Sequence, residues 1–420
     1  MTGKAEQRTD AQEREFPLVR PLEGIPVSIM GQTMFLVRDP ARVSHKSLML
    51  TPMTYFLVSM FDGKTSMRDI QLAYSRKFGN LIFTDQILDL IFELDCALMM
   101  NNSRYRQYLE FLREEFDRSN VRECILKGDD YPDDPGELKK KLDSFYDGLS
   151  PDPFDGVSPL GVAAPHIDFN RGGPVYAESY RQIKKSDCDT FVVFGTSHQP
   201  MENLAALTAK SYNTPLGEIP CHKDMAEQLA RHSTYDLFAD EFNHRAEHSI
   251  EFQAVMLRHA FPHRDIKILP ILTGSLDYLG REGRPPAVDV KVRDFVEAMR
   301  KTLDQADTKV CFIAGVDLSH TGPHFGDEDP PTAMDLEQLK ETERQDLKHL
   351  EEGCPDSFFN SIISRQKTRR VCGLSSLYLA GRSMAPFRGT LLNYQVCSDS
   401  QRNNNVSIAS MAFHPWNDTD

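Results

Sequence analysis

Two hydrophobic periods divide this chain of 420 residues. From Ser158 onward, short runs of consecutive apolar residues alternate with stretches whose apolar positions recur at helical spacing. The runs at 160–164, 190–194, 266–272 and 309–315 read as buried strands. The stretches at 174–184, 223–233, 248–260, 289–304 and 335–352 read as helices. Such alternation predicts an α/β fold with a mainly parallel central sheet flanked by helices. Near the end of the chain, 390–396 and 406–414 read as two adjacent strands joined by a polar turn.

The first part of the chain follows another pattern. Residues 1–17 are polar and aperiodic, as expected of a disordered tail. VSIMGQTMFLV (27–37) reads as a strand pair around a Gly31–Gln32 turn. Three short helices are predicted next. One follows Thr51–Pro52 and stops at Asp62–Gly63; one is capped by Ser66 and stops at Gly79; one is capped by Thr84, with Ile87, Leu90 and Leu94 on its apolar face. The segment 103–118 predicts a charged linking helix, and 131–149 a turn followed by an amphipathic helix. The expected organisation is a tail (1–17), a small α+β domain (18–102), a linking helix (103–118) and an α/β domain (119–420).

Composition narrows the function classes. Hydrophobic residues at 40% and charged residues at 26% describe a globular protein. No apolar run approaches the roughly 20 residues that span a bilayer, and the charged first residues lack a signal-peptide core, so the expected location is the cytoplasm. A net charge of −14 argues against nucleic-acid binding, which needs a surplus of Lys and Arg. The eight cysteines contain no CxxC pair, which excludes a zinc ribbon. Any metal site must mix ligand types drawn from distant segments.

Candidate chemistry collects just past the apolar runs. His166 and His198 follow consecutive strands, at the sheet end where open α/β folds keep their ligand sites. Cys372 stands at the start of an expected helix (373–382), after Arg369 and Arg370. A helix N-terminus and nearby cations both favour a thiolate. Two imidazoles and a thiol arriving this way predict a metal site. In Asp317-Leu-Ser-His320 the carboxylate is expected to orient the imidazole, making His320 a general acid or base. His244-Arg-Ala-Glu247-His248 matches the H-x-x-E-H string of zinc proteases. The apolar helix starts only at His248, however, so Glu247 and His248 are expected at a helix start facing the same crevice, positioning substrate.

Ala164-Pro165-His166, Gly195-Thr196-Ser197-His198, Glu247-His248-Ser249-Ile250-Glu251, Asp317-Leu318-Ser319-His320 and Cys372-Gly373, in that order, resemble the Memo family. That family is related in fold to class III extradiol ring-cleaving dioxygenases. The resemblance covers roughly 118–420 and implies that His166, His198 and Cys372 bind metal while Asp317 and His320 line the pocket. Where the family commonly has Ala-Gly-Tyr after the first histidine, this chain has Ile167-Asp168-Phe169. The early Gly-x-Trp-Tyr signature is reduced to KGDDYP (127–132), with Tyr131 retained. These departures are expected at the pocket mouth, which assigns Asp168 and Tyr131 to substrate binding. The hairpin and three helices of 18–102 resemble a winged-helix-like unit of the PqqD-like, peptide-recognising kind.

The resemblance implies one divalent metal ion, iron first, with copper or zinc as alternatives. It also implies a metal-dependent, dioxygenase-like redox enzyme acting on a small molecule or peptide, alongside a radical-SAM enzyme and an AMMECR-type partner. The alternatives are a catalytically inactive peptide- or protein-binding module on the same fold and, through HRAEH, a zinc metalloprotease.

Overall fold

The computed structural model describes residues 10–152, 154, 156–399 and 403–416. The chain divides into two compact units, one ending at Arg118 and the other beginning at Ser119.

In the first unit, strands β1 (Glu23–Ile29), β2 (Gln32–Arg38) and β3 (Leu48–Leu50) form an antiparallel sheet in the order β1-β2-β3. Ile29 pairs with Gln32 across a two-residue turn in which Met30 and Gly31 both have positive φ. This primed turn matches the twist of a hairpin. Helices Pro52–Ser59, Met67–Phe78 and Thr84–Cys96 pack against the sheet around Ile70, Ile87 and Leu94. Ser66 caps the second helix by accepting from the Asp69 N–H, and Gly79 ends it at φ 72°. The third helix starts one residue earlier than expected, because Phe83 is its cap residue and Gln86 reaches back to the Phe83 N–H. Part of the expected tail is ordered: Asp10–Glu15 is helical, and Glu13 pairs with Arg106 at 3.0 Å. Residues 1–9 of the expected tail lie outside the described residues. Helix Ser103–Arg118 completes the unit.

The second unit contains β4 (Val121–Arg122), β5 (Gly161–Ala164), β6 (Thr190–Thr196), β7 (Ala205–Leu207), β8 (Ser211–Tyr212), β9 (Lys267–Thr273), β10 (Val310–Gly315), β11 (Asp317–Thr321), β12 (Phe387–Asp399) and β13 (Asn404–Pro415). Its main sheet runs β11-β13-β5-β10-β6-β9-β7, with β12 paired to β13. The four central strands β5, β10, β6 and β9 are mutually parallel, and antiparallel strands complete both edges. Short β4 and β8 pair separately.

Successive residues of a strand point to opposite faces, so each apolar run feeds two cores. Val192 and Phe194 pack under helices Lys223–His232, Val290–Asp304 and Leu374–Met384. Phe191 and Val193 face helices Pro135–Ser144, Phe169–Ile183 and Ser249–Ala260. Both faces are therefore apolar, as parallel sheets require.

Two expectations need correction. The helix placed at 174–184 begins at Phe169, because the Asp168 carboxylate accepts from the Asn170 and Arg171 N–H groups and caps it; Pro174 sits inside the helix. Asp317-Leu-Ser-His320, expected only to follow the strand at 309–315, itself forms β11, pairing Asp317 with Ile408 and His320 with Val406 across a bulge. Among the described residues, no helix is long and apolar enough to cross a membrane.

Candidate metal centre

The ends of β5, β6 and β10 meet the start of helix Ser249–Ala260 at two glycines. A Cβ on Gly195 would lie 2.5 Å from Ile250, and one on Gly315 would lie 2.9 Å from the Ser249 carbonyl oxygen. Bare backbone at both positions lets the helix start approach the sheet. The Ser249 hydroxyl donates to the Thr196 carbonyl at 2.9 Å, and the Gln253 amide donates to the Pro165 carbonyl at 2.7 Å. These contacts carry Glu247 and His248 into the crevice that His166 and His198 enter from β5 and β6.

His166, His198 and His248 form one group, with a ring nitrogen from each lying within 4.8 Å of the other two. Each ring has its Nδ1 engaged. His166 Nδ1 faces the Gly315 carbonyl at 2.9 Å and must donate to it. His198 Nδ1 and His248 Nδ1 lie 3.0 and 3.1 Å from the Glu247 carboxylate. Burial would raise the Glu247 pKa, yet the two imidazoles hold it well below the usual carboxylate range, so the carboxylate accepts from both rings. With Nδ1 fixed as the donor, Nε2 is the atom each ring has left for binding an ion, the outer-shell arrangement that orients metal-binding histidines. The donor set suits a borderline divalent ion such as iron, copper or zinc.

Cys372 flanks this group. Its Sγ is 3.3 Å from His166 Nε2. Burial favours the thiol, but His166 and His320 oppose it and bring the pKa down to about 5, so a thiolate is present at neutral pH. Burial likewise works against a charged His166, while Asp317 and Cys372 raise it to about 9. Thiolate and imidazolium stabilise each other, and metal binding at Nε2 would release that proton. None of the eight cysteines forms a disulfide.

The other predicted residues fall into place unevenly. His248, expected to position substrate, is the third imidazole of the group, and Glu247 is the shared acceptor behind it. Asp317 does not orient His320: its Oδ1 accepts from the His166 and Ile167 N–H groups at 2.8 and 3.2 Å. His320 Nδ1 instead faces the Leu318 and Arg370 carbonyls at 3.0 and 3.1 Å. Asp168 is a helix cap bound to Arg171 at 2.6 Å. Tyr131 is buried, donating to Glu251 and packing on Phe169 and Phe252, so it is an anchor and does not reach the pocket mouth.

Glu251 and Arg122 form a fully buried ion pair, and Arg122 also donates to the Glu247 carbonyl at 2.6 Å and the His244 carbonyl at 3.0 Å. His244 itself is buried, with Nδ1 bound to the Tyr212 hydroxyl and Nε2 to the Ala206 carbonyl. It lies in a 3-10 turn, off the helix that His248 precedes, so HRAEH does not present two histidines to one ion.

A family model described as "Memo-like protein" matches residues 122–412. The chain belongs to the Memo family. A MEMO1 family protein of Aquifex aeolicus is 28% identical over 383 residues, covering 90% of this Memo chain and 96% of the relative. That match is longer than Ser119–Asp420 and so extends into the first unit. A MEMO1 family protein of Methanosarcina barkeri is 26% identical, covering 70% of this chain and 99% of its own length. One from Thermoplasma acidophilum is 32% identical over 200 residues, 47% of this chain and 67% of the relative.

A cleft of about 350 Å³ opens beside the Memo centre, lined by His198, Cys372, Arg370 and Lys367. A groove of about 700 Å³ shares Ser197, His198, Gly274 and Ser275 with it. A further cavity of about 720 Å³ lies at the opposite end of the strands, around Thr190, Lys267 and Asp307, and none of the predicted site residues line it.

Proposed function

We propose that this chain is a non-haem, metal-dependent redox enzyme of the extradiol-dioxygenase-like type, using iron, with copper the second choice. The observation that carries the proposal is the set of three imidazoles whose Nδ1 atoms are all engaged by Gly315 and Glu247. His166, His198 and His248 would hold the ion, with Cys372, the ligand implied by resemblance, completing the donor set. A bound iron ion supplies Lewis acidity and one-electron chemistry.

The remaining roles belong to the chain itself. Glu247 fixes two of the rings. Asp317 holds the backbone that presents His166. His320 has Nδ1 committed to carbonyls, so its Nε2 is the atom that moves a proton to or from substrate. The substrate is a small molecule or peptide, and the activity would act alongside a radical-SAM enzyme and an AMMECR-type partner, as the resemblance implies. In this reading the first unit is a PqqD-like peptide grip.

The test is oxygen consumption by anaerobically purified, iron-loaded protein, with catechols and peptide extracts as substrates. His320→Gln should lower the rate about 100-fold at unchanged iron content. Peptide binding with no oxygen uptake at full iron loading would contradict the proposal and favour an inactive binding module.

A further inference from the structure

We propose that the cleft beside the three histidines binds a carboxylate with an extended apolar or aromatic body. Its acidic head would lie on Arg370 and Lys367, and its body along the neighbouring groove. The inference rests on the metal-centre reading only for the idea that this cleft is where substrate sits.

Arg370 carries the argument. It has left-handed backbone geometry, φ 51° and ψ 52°, at the end of the short helix Gln366–Arg369. That region disfavours residues bearing a Cβ, and glycine or asparagine would sit there more easily. The arginine side chain is in use. One guanidinium nitrogen donates to the His320 and Thr368 carbonyls at 3.1 and 2.9 Å, and the other binds the Asp327 carboxylate at 2.5 Å. Both ends of that ion pair are partly exposed, at 28% and 30%. Arg370 lines the cleft while Asp327 does not, and Asp327 also accepts from the Gly322 N–H at 2.6 Å; a ligand carboxylate in the cleft would compete with it for the guanidinium.

Lys367 lines the same cleft and has no ion-pair partner among the described residues. Asp277 also lines it. If Asp327 is displaced, Arg370 and Lys367 face Asp277 and the Cys372 thiolate, a balance that a monoanion disturbs less than a phosphate dianion.

Beyond His198 the lining changes. The groove presents Pro200, Met201, Leu204, Tyr278 and Val290. Its charges are largely spoken for, since Arg284 pairs with Asp289 at 2.5 Å and Lys291 donates to the Glu202 carbonyl at 3.1 Å. Cleft and groove meet at Ser197, His198, Gly274 and Ser275, so one ligand can place its head on Arg370, pass the histidines and lay its body on apolar side chains.

The experiment is calorimetric titration of the full chain with phenylbutyrate, its neutral amide and phenyl phosphate, measuring metal content in every sample. Phenylbutyrate should bind at least about tenfold more tightly than the amide. Arg370→Gln should remove that preference and leave amide affinity unchanged. Asp327→Asn should act in the opposite direction, tightening phenylbutyrate alone by removing its competitor. Equal binding of acid and amide, tighter binding of phenyl phosphate, or an Asp327→Asn variant that weakens the acid would each overturn the inference. Because metal content is read separately, such a result at full loading leaves the metal centre standing. Lost metal with an intact acid preference would fault the metal reading alone.

Discussion

Replacing Glu247 with glutamine tests the physical core of the site with one atom changed. The carboxylate accepts from His198 Nδ1 at 3.0 Å, His248 Nδ1 at 3.1 Å, and the backbone N–H groups of His198, His248 and Ser249 at 2.9, 2.8 and 3.0 Å. A glutamine keeps one accepting oxygen and turns the other position into an NH₂ group that faces N–H donors. With the oxygen at the Oε2 position His248 Nδ1 loses its acceptor; with the oxygen at Oε1, within 3.1 Å of both rings, the new NH₂ group faces the backbone N–H and Nδ1 of His198. Either placement sets a donor against an imidazole and favours the tautomer with Nε2 protonated and unable to bind an ion. Loss of an outer-shell partner of this kind typically costs 10–100-fold in metal affinity, or about 1.4–2.8 kcal/mol. With two rings sharing one carboxylate, the upper half of that range is expected. The assay is competition for ferrous or zinc ion against a chelator of known affinity, with circular dichroism confirming the fold. Unchanged affinity in a folded Glu247→Gln protein would refute the claim that this carboxylate sets the two tautomers.

The buried Arg122–Glu251 pair should be worth far more to the fold than a surface ion pair: Arg122→Met leaves an uncompensated carboxylate and is expected to cost about 3–5 kcal/mol in denaturant unfolding, and a loss below 1 kcal/mol would contradict its anchoring role. His244 is neutral in the fold, burial having pushed its pKa down to about 3 against 6.5 for a free ring, so its contribution is complete above pH 6.5 and is lost as pH falls toward 3. Each unit of acidification in that window should cost about 1.4 kcal/mol, and His244→Asn should flatten the stability-against-pH slope; parallel slopes would show that this ring does not titrate with unfolding.

The central sheet was legible because strands buried on both faces print themselves as unbroken apolar runs: 190–194 extends by two residues to Thr196, and 309–315 loses only its first residue. β11 was hidden: Asp-Leu-Ser-His-Thr has no apolar run, and only pairing with β13 makes it a strand. The start of Phe169–Ile183 was masked by Gly172, Gly173 and Pro174, which look like a loop until the Asp168 cap is seen. His166 and His198 were readable from their strand ends, while the part played by His248 depended on a helix packing closely over Gly195 and Gly315. The Glu-His adjacency at a helix start was the available signal for it. Nothing in the pattern marked Arg122, Tyr131 and Glu251 as one buried network, since charged residues read individually as solvated and their partners lie more than a hundred residues apart.

X-ray absorption at the metal edge, on protein carrying one equivalent of zinc as a redox-silent probe, tests the three-histidine centre most directly. The account predicts nitrogen neighbours at about 2.0–2.1 Å with the outer-shell scattering of three imidazole rings, lost when His166, His198 and His248 are all replaced by alanine. A spectrum without imidazole scattering, or one that the triple replacement leaves unaltered, would contradict it.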